Sequence, residues 1–569
     1  MKLTPRSRRR SALAGAVIAG MLATACGSGS DSDDTGAPGT ARPGQTGAEM
    51  GSEEALGSPG CDPATKRTSF FFVNGGPLCV NPWDTGDDNG GATAPGVTDT
   101  MVEIVVYVPN ETMQESMTST GAVQAVTDQR TGKAASYADM IRDYDAAYRH
   151  AIEQLHSFQT WGRTPEFTVV EASGPDEASQ RADAVRVLAL EPFMVIDGSN
   201  LTTGAPFFAA AVANAEVVVL GYMDGNAAEQ APYRWGSQSP TAGTYLLASF
   251  LGQSLSGRPA RYAGDELRAE ERVFGIVHPA DNWDDGLLED LLDENGSTPM
   301  AVSLEAGPDA SDAQQAATTM VTKLKSGGVT SVVLHTGPTV VTALMAAAEA
   351  QGYEPEWIFT GFGFQDFDLF GRQNEADQME HAFGMGILPP ATAQPADGTP
   401  VPPAPDPFAW YWGDDQGVYG PPGLLWMTFV YGAIHYAGPD LNAETVRDGL
   451  FGVPAQGGAD EGTTGFLTGY GRTTGLPYDE YAVLGADRNL MWWNPELEGG
   501  TQVIPSLVGT GKWTYLDGAT RYRYGDFPTE EPTFFDPSDS VAEVPSTSAY
   551  PEGLSPELSP CEGCPSAGR

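Results

Sequence analysis

From Val102 to Phe359 the chain alternates short apolar, β-branched runs with amphipathic stretches of helical period. The runs are Val102–Val108, Phe167–Val170, Phe193–Ile196, Val217–Leu220, Arg272–Val277, Ala301–Leu304, Ser331–Leu334 and Trp357–Phe359. Between them the pattern predicts helices over Ser136–His156, Asp176–Leu190, Ala205–Ala213, Thr241–Ser256, Asp281–Asp293, Asp312–Lys325 and Pro338–Ala350, with Ser136 and Asp312 as caps. A strand that is apolar throughout must be covered on both faces, so this series implies parallel sheets flanked by helices and an α/β fold class. The texture breaks at Arg234–Thr241, where Trp235-Gly-Ser-Gln-Ser-Pro240 separates two similar series. Two consecutive open sheets form two Rossmann-like lobes joined by a hinge, with the ligand cleft between them at the strand ends.

The chain ends carry a different message. Lys2, Arg6, Arg8, Arg9 and Arg10 precede an apolar run from Ala12 to Ala25 that is too short to span a bilayer comfortably. With Ala23, Thr24 and Ala25 ahead of Cys26, this segment resembles a bacterial lipoprotein signal. The resemblance implies removal of residues 1–25, export, and lipid anchoring through Cys26 at the outer face of the bacterial cell membrane. Residues 26–60, rich in Gly, Ser, Thr, Asp and Pro, read as a disordered tether. Residues 61–100 form a Cys-bounded extension, and 536–569 a flexible tail. Export permits disulfides. Cys61, Cys79, Cys561 and Cys564 allow three pairings, of which the local one joins Cys61 to Cys79 and Cys561 to Cys564.

Charge and motifs narrow the function. Of 569 residues, 75 are acidic and 30 basic, a net charge of −45 that leaves no broad basic footprint for nucleic acid or anionic lipid. His150, His156, His278, His335, His381 and His435 lack metal-ligand spacing, and Asp84, Asp87 and Asp88 do not match a calcium loop. No Gly-x-Ser-x-Gly elbow occurs, and Gly361-Phe-Gly363 and Gly469-Tyr-Gly471 lack the complete dinucleotide pattern. No enzyme, metal or cofactor is expected. A secreted hydrolase is the reading from another class.

Four stretches, Met194–Asn200, Val217–Asn226, Arg272–Gly286 and His435–Leu450, give the chain a family likeness. In order and separation they resemble the branched-chain amino-acid (Leu/Ile/Val-type) substrate-binding proteins of ABC transporters, with the type I periplasmic-binding-protein fold. The resemblance spans about Val102 to Leu450. It implies one lobe from 101–240 and 365–470 and another from 241–364 and 471–535. It also implies a small-molecule solute, a membrane permease as partner, and a monomer. A ligand-sensing receptor of the same fold is the nearest alternative.

Carried over to this sequence, Ser199, Asn200, Thr202 and Thr203 present hydroxyls and amides to a ligand carboxylate. Tyr222, Asp224, Gly225 and Asn226 supply a second loop, and Trp283 covers the ligand. From the other lobe come His335 and Thr336, then Gly361, Phe362 and Phe364. Gly361, Phe362 and Gly363 stand where some amino-acid binders place an acid for the ligand ammonium. The resemblance implies an amino acid, an amide or an aromatic or organic acid as solute, and without that acid an aromatic or less polar ligand suits these residues better than an α-amino acid.

Overall fold

A computed structural model describes residues 49–68, 76–84, 86–119, 126–128, 133–199, 205–223, 227–279, 283–307, 310–393, 407–412, 417–419, 421–502 and 507–545. Cys26, Asn200, Thr202, Thr203, Asp224, Gly225, Asn226, Cys561 and Cys564 lie outside these residues.

The first lobe opens with β1 (Met101–Val108), α1 (Tyr137–Gln154), β2 (Thr164–Glu171), α2 (Glu177–Leu188), β3 (Met194–Asp197), α3 (Pro206–Asn214), β4 (Val218–Met223) and β5 (Arg234–Gln238). The second continues through α4 (Pro240–Phe250), β6 (Phe274–Pro279), α5 (Asp285–Glu294), β7 (Val302–Ala306) and α6 (Ala310–Ser326). It goes on with β8 (Ser331–Leu334), α7 (Pro338–Ala350), β9 (Glu356–Phe359) and β10 (Ala382–Gly386). The chain then returns to the first lobe for α8 (Pro421–Ala437), α9 (Ala443–Phe451) and β11 (Ala482–Leu484). It ends in the second with β12 (Asp487–Gly499), β13 (Gly509–Leu516), β14 (Arg521–Arg523) and β15 (Ser540–Val541).

The first sheet runs β11-β5-β4-β3-β1-β2 and is parallel throughout. The second runs β7-β6-β8-β9-β10-β12-β13-β15, with β14 also on β12; it is parallel as far as β10 and antiparallel beyond. The eight runs read from the sequence are all strands. Their continuous apolarity has the expected cause. In β1, Val102, Ile104 and Val106 pack with α1 and α8 (Met140, Tyr144, Met427, Val430), whereas Val105 and Tyr107 pack with α2 and α3 (Val187, Phe208, Val212). In β8, Val332 and Leu334 face α6 and α7, and Val333 faces α4 and α5. Among the described residues no helix is long and apolar enough to cross a membrane.

Several boundaries differ from expectation. The break at Arg234–Thr241 contains β5 itself, and the chain leaves the first sheet only at Ser239, whose Oγ accepts the Ala242 N–H at 3.0 Å and caps α4. Strand β10, expected within the 365–470 part of the first lobe, belongs to the second sheet, because it pairs with β9. Conversely β11, expected in the second lobe, pairs with β5. Helix α6 starts at Ala310, so Asp312 stands inside its first turn and not at the cap.

The tether expectation fails for residues 49–60. Ser52 caps a short helix, Glu53–Leu56, and Met50 and Ala55 are buried. The Cys61–Cys79 disulfide is formed, and its loop is held on α8 through Leu78. The flexible-tail expectation fails for residues 536–545, where β15 extends the sheet from β13, Glu543–Val544 pairs with Ala391–Thr392, and Glu543 meets the buried Lys512 at 2.6 Å.

Two buried polar groups set stability. Arg272, wholly buried, donates to both Glu356 carboxylate oxygens at 2.7 and 2.8 Å, and to Glu531 at 2.5 Å. This ties β6, β9 and the C-terminal strap together. Removing Glu356 takes two of the three carboxylate bonds from Arg272 and the acceptor from the Ser331 hydroxyl and the Tyr262 amide, so Glu356→Ala is expected to lower unfolding free energy by about 3–5 kcal/mol in urea titration. His435 on α8 accepts the Gln159 N–H at Nδ1 (3.1 Å) and stands 2.9 Å from the Leu78 carbonyl at Nε2, so the neutral Nε2–H form fits. Burial pushes its pKa down to about 4. The unfolded chain therefore takes up this proton first as pH falls, and stability should decline between about pH 6.5 and pH 4. Urea midpoints across that window check this: His435→Gln should flatten the slope, and an unchanged slope would contradict the assignment.

Candidate ligand-binding site

Strand ends converge where the chain passes between the lobes. Strand β5 leaves the first sheet at Gln238, and β11 leaves it beside Gln238 at Leu484, its register partner. Strand β12 then enters the second sheet with Asn489 opposite Gly386, the last residue of β10. Each passage starts from a C-terminal strand end, so the C-terminal edges of both parallel sheets meet at this junction, the usual ligand position in open α/β sheets.

On the second lobe these edges carry a column of rings. His278 is the penultimate residue of β6, His335 follows β8, and Phe362 lies in the turn after β9. His278 stacks on Trp283 at 5.1 Å, Trp283 lies 4.7 Å from His335, and His335 lies 4.4 Å from Phe362. The indole is oriented from behind: Trp283 Nε1 donates to Asp285 at 2.9 Å. Ser303 Oγ donates to the same carboxylate oxygen at 2.9 Å and stands 3.0 Å from His278 Nε2. The Phe362 turn needs Gly361 at φ 75°, where a Cβ would stand 2.9 Å from the Ile387 nitrogen. Gln365 pins the turn by accepting the Thr360 N–H (2.7 Å) and donating to the Thr336 carbonyl (3.0 Å).

His335 is 2% exposed, and neither ring nitrogen has a hydrogen-bond partner. Burial, and then the charge of Arg488, push its pKa down to about 3, so the ring is neutral at physiological pH. Arg488 is itself buried, and its contacts are all carbonyls: Thr360 (3.3 Å), Gly485 (2.6 Å) and Asp487 (2.9 Å). Burial lowers its pKa to about 10, which leaves it cationic. From the first lobe, Gln238 at the end of β5 holds its Nε2 buried without a partner.

The structure thus brings Trp283, His335, Thr336, Gly361 and Phe362 together. Phe364 turns elsewhere, into an apolar cluster with Phe367, Ile387, Leu388, Phe466 and Leu484. Ser199, expected to donate to a ligand carboxylate, donates its hydroxyl proton to Asp197 at 2.6 Å. The same carboxylate takes the Ser199 and Ala205 amides. Tyr222 belongs to β4, near its C-terminal end. His278, Gln238 and Arg488 were not singled out from sequence. Arg488 sits in Asp487-Arg-Asn489, a polar stretch directly before the apolar Leu490–Trp493 that reads as surface. Among the described residues no group of three His, Cys, Asp or Glu is placed to hold a metal ion.

No protein-family model and no curated protein matches the chain. Solved structures do align with it. A Rhodopseudomonas palustris ABC-transporter solute-binding protein in complex with 4-hydroxybenzoate is 11% identical, over 69% of this chain and 93% of that one, with TM-score 0.41. A fatty acid ABC transporter substrate-binding protein from Thermomonospora curvata is 13% identical, over 73% and 92%, with TM-score 0.43. An ABC transporter substrate-binding protein from Aeropyrum pernix is 8% identical, over 77% and 97%, with TM-score 0.45.

A buried imidazole without partners costs folding free energy, and an apolar side chain of similar volume removes that cost. His335→Leu should therefore stabilise the free protein by about 1 kcal/mol in urea unfolding. Destabilisation would show that the imidazole has a structural partner.

Proposed function

We propose that this chain is an exported solute-binding protein that captures a small molecule between its lobes and delivers it to the permease of an ABC importer. In this reading Cys26 is acylated after removal of the leader, and the lipid holds the protein at the outer face of the bacterial cell membrane. The reading needs no catalytic group. One observation carries it: a ring-lined wall with a buried, unpartnered imidazole lies where two sheet edges meet across chain crossings. Such polar orphans in an aromatic setting are what a binding site retains before its ligand arrives. Movement about the crossings lets the two lobes close on one solute. Trp283 supplies the face on which an apolar or aromatic body rests. Asn200, Thr202, Thr203, Tyr222, Asp224, Gly225 and Asn226 are proposed as the loops that the first lobe brings to the ligand.

The reading is tested by calorimetry and thermal shift on the mature chain carrying Cys26→Ser, against amino acids, amides, aromatic and aliphatic acids, and sugars. A bound solute at 100 times its Kd should stabilise the fold by about 2.7 kcal/mol. Trp283→Ala should weaken that binding at least tenfold, about 1.4 kcal/mol, while leaving the fold intact. A panel without any stabilising solute, or a Trp283→Ala protein with unaltered affinity, would contradict this site.

A further inference from the structure

Arg272, Arg521 and Arg163 show two ways in which a buried guanidinium is satisfied in this protein, and Arg488 follows neither. Arg272 and Arg521 face carboxylates: Glu356 and Glu531 for the first, Asp487 for the second. Arg163 has only carbonyl partners, but every nitrogen is used: Nε on Thr98, Nη1 on Pro439, and Nη2 on Asn89 and Gly91. Arg488 commits Nε and Nη1 to carbonyls and leaves Nη2 without an acceptor. The carboxylates whose fields reach it are Asp487 and Asp366. Asp487 is bonded to Arg521, and Asp366 takes the Ile387 and Leu388 amides at 2.6 and 2.7 Å. A buried guanidinium with a free donor and no bonded acid is costly unless something else completes it.

The free nitrogen faces the ring wall. A Cβ added to Gly243 on α4 would stand 3.3 Å from His335 Cε1 and 3.7 Å from Arg488 Nη2, so the two side chains border one glycine-cleared space. A Cβ added to Gly485 would stand 3.3 Å from Arg488 Nη1 and 3.7 Å from Nη2. Gln238, with its unpartnered Nε2, stands beside Leu484, one residue before Gly485.

Resting on the solute-binding reading above, we propose that Arg488 selects an organic monoanion. One carboxylate oxygen of the ligand accepts from Arg488 Nη2, and its apolar body lies against Trp283 and Phe362. Only Nη2 is free, so the fork cannot grip two oxygens, which favours a singly charged carboxylate over a phosphate dianion. The neutral His335 can add one N–H, and Gln238 adds a donor from the first lobe.

The test compares aromatic and aliphatic monocarboxylates with their primary amides, benzoate against benzamide first, by calorimetry on the mature chain carrying Cys26→Ser. Acids should bind about thirtyfold or more tightly than amides, and Arg488→Gln should reduce the acid to the affinity of the amide. Phenyl phosphate should bind less tightly than benzoate. If Arg488→Gln does not fold, the acid–amide ratio on the unaltered protein decides. Amides that bind as well as acids, or full acid affinity in folded Arg488→Gln, overturn the anion assignment and leave solute binding standing. If no acid or amide binds but another solute of the wider panel does, the anion assignment falls and solute binding stands; if nothing in the wider panel binds, both fall.

Discussion

Asp487 is the point at which the two lobes are tied. Its wholly buried carboxylate accepts Arg521 Nε and Nη2 at 2.9 and 2.8 Å, and the backbone N–H groups of Ala459 and Leu467 at 3.1 and 3.2 Å. Arg521 belongs to β14 in the second lobe, whereas Ala459 and Leu467 precede β11 in the first. A buried carboxylate is tolerated only when its lone pairs are met, and here four donors meet them. The bond network fixes where β12 starts and therefore where Arg488 stands. By taking Arg521, Asp487 also leaves Arg488 without an acid of its own.

The second-lobe wall depends on that placement. Arg488 donates to the Thr360 carbonyl, at the start of the turn that presents Phe362, and its charge helps keep His335 neutral. The Asp285–Ser303–His278 network aims Trp283 at the same place. The His435 ring, by comparison, uses both nitrogens, and Arg272 sits between two acids. Polar groups at the lobe junction are left open instead, a local cost of the kind proteins carry where a ligand is bound.

Much of the fold was legible because a strand covered on both faces has to be apolar at every position, as Val102–Val108 and Ser331–Leu334 are. The lobe assignments were less legible. β10 and β11 are short, and the sheet that each joins is fixed by long-range pairing with β9 and β5, which periodicity does not encode. Trp283, His335 and Phe362 could be found as unusual residues at strand ends. Arg488 could not, since an arginine between Asp487 and Asn489 reads as solvated surface; only the antiparallel return of β12 into the sheet buries it. Ser199 failed for a local reason: Asp197, two residues earlier, takes its proton.

The central claim is that the two lobes close on a small solute at this junction. Small-angle X-ray scattering of the mature chain, alone and saturated with the tightest-binding solute of the panel, tests it most directly. The account predicts a smaller radius of gyration with ligand, and loss of that change in a Trp283→Ala protein at the same solute concentration. An identical scattering profile for the free and the saturated protein would contradict it.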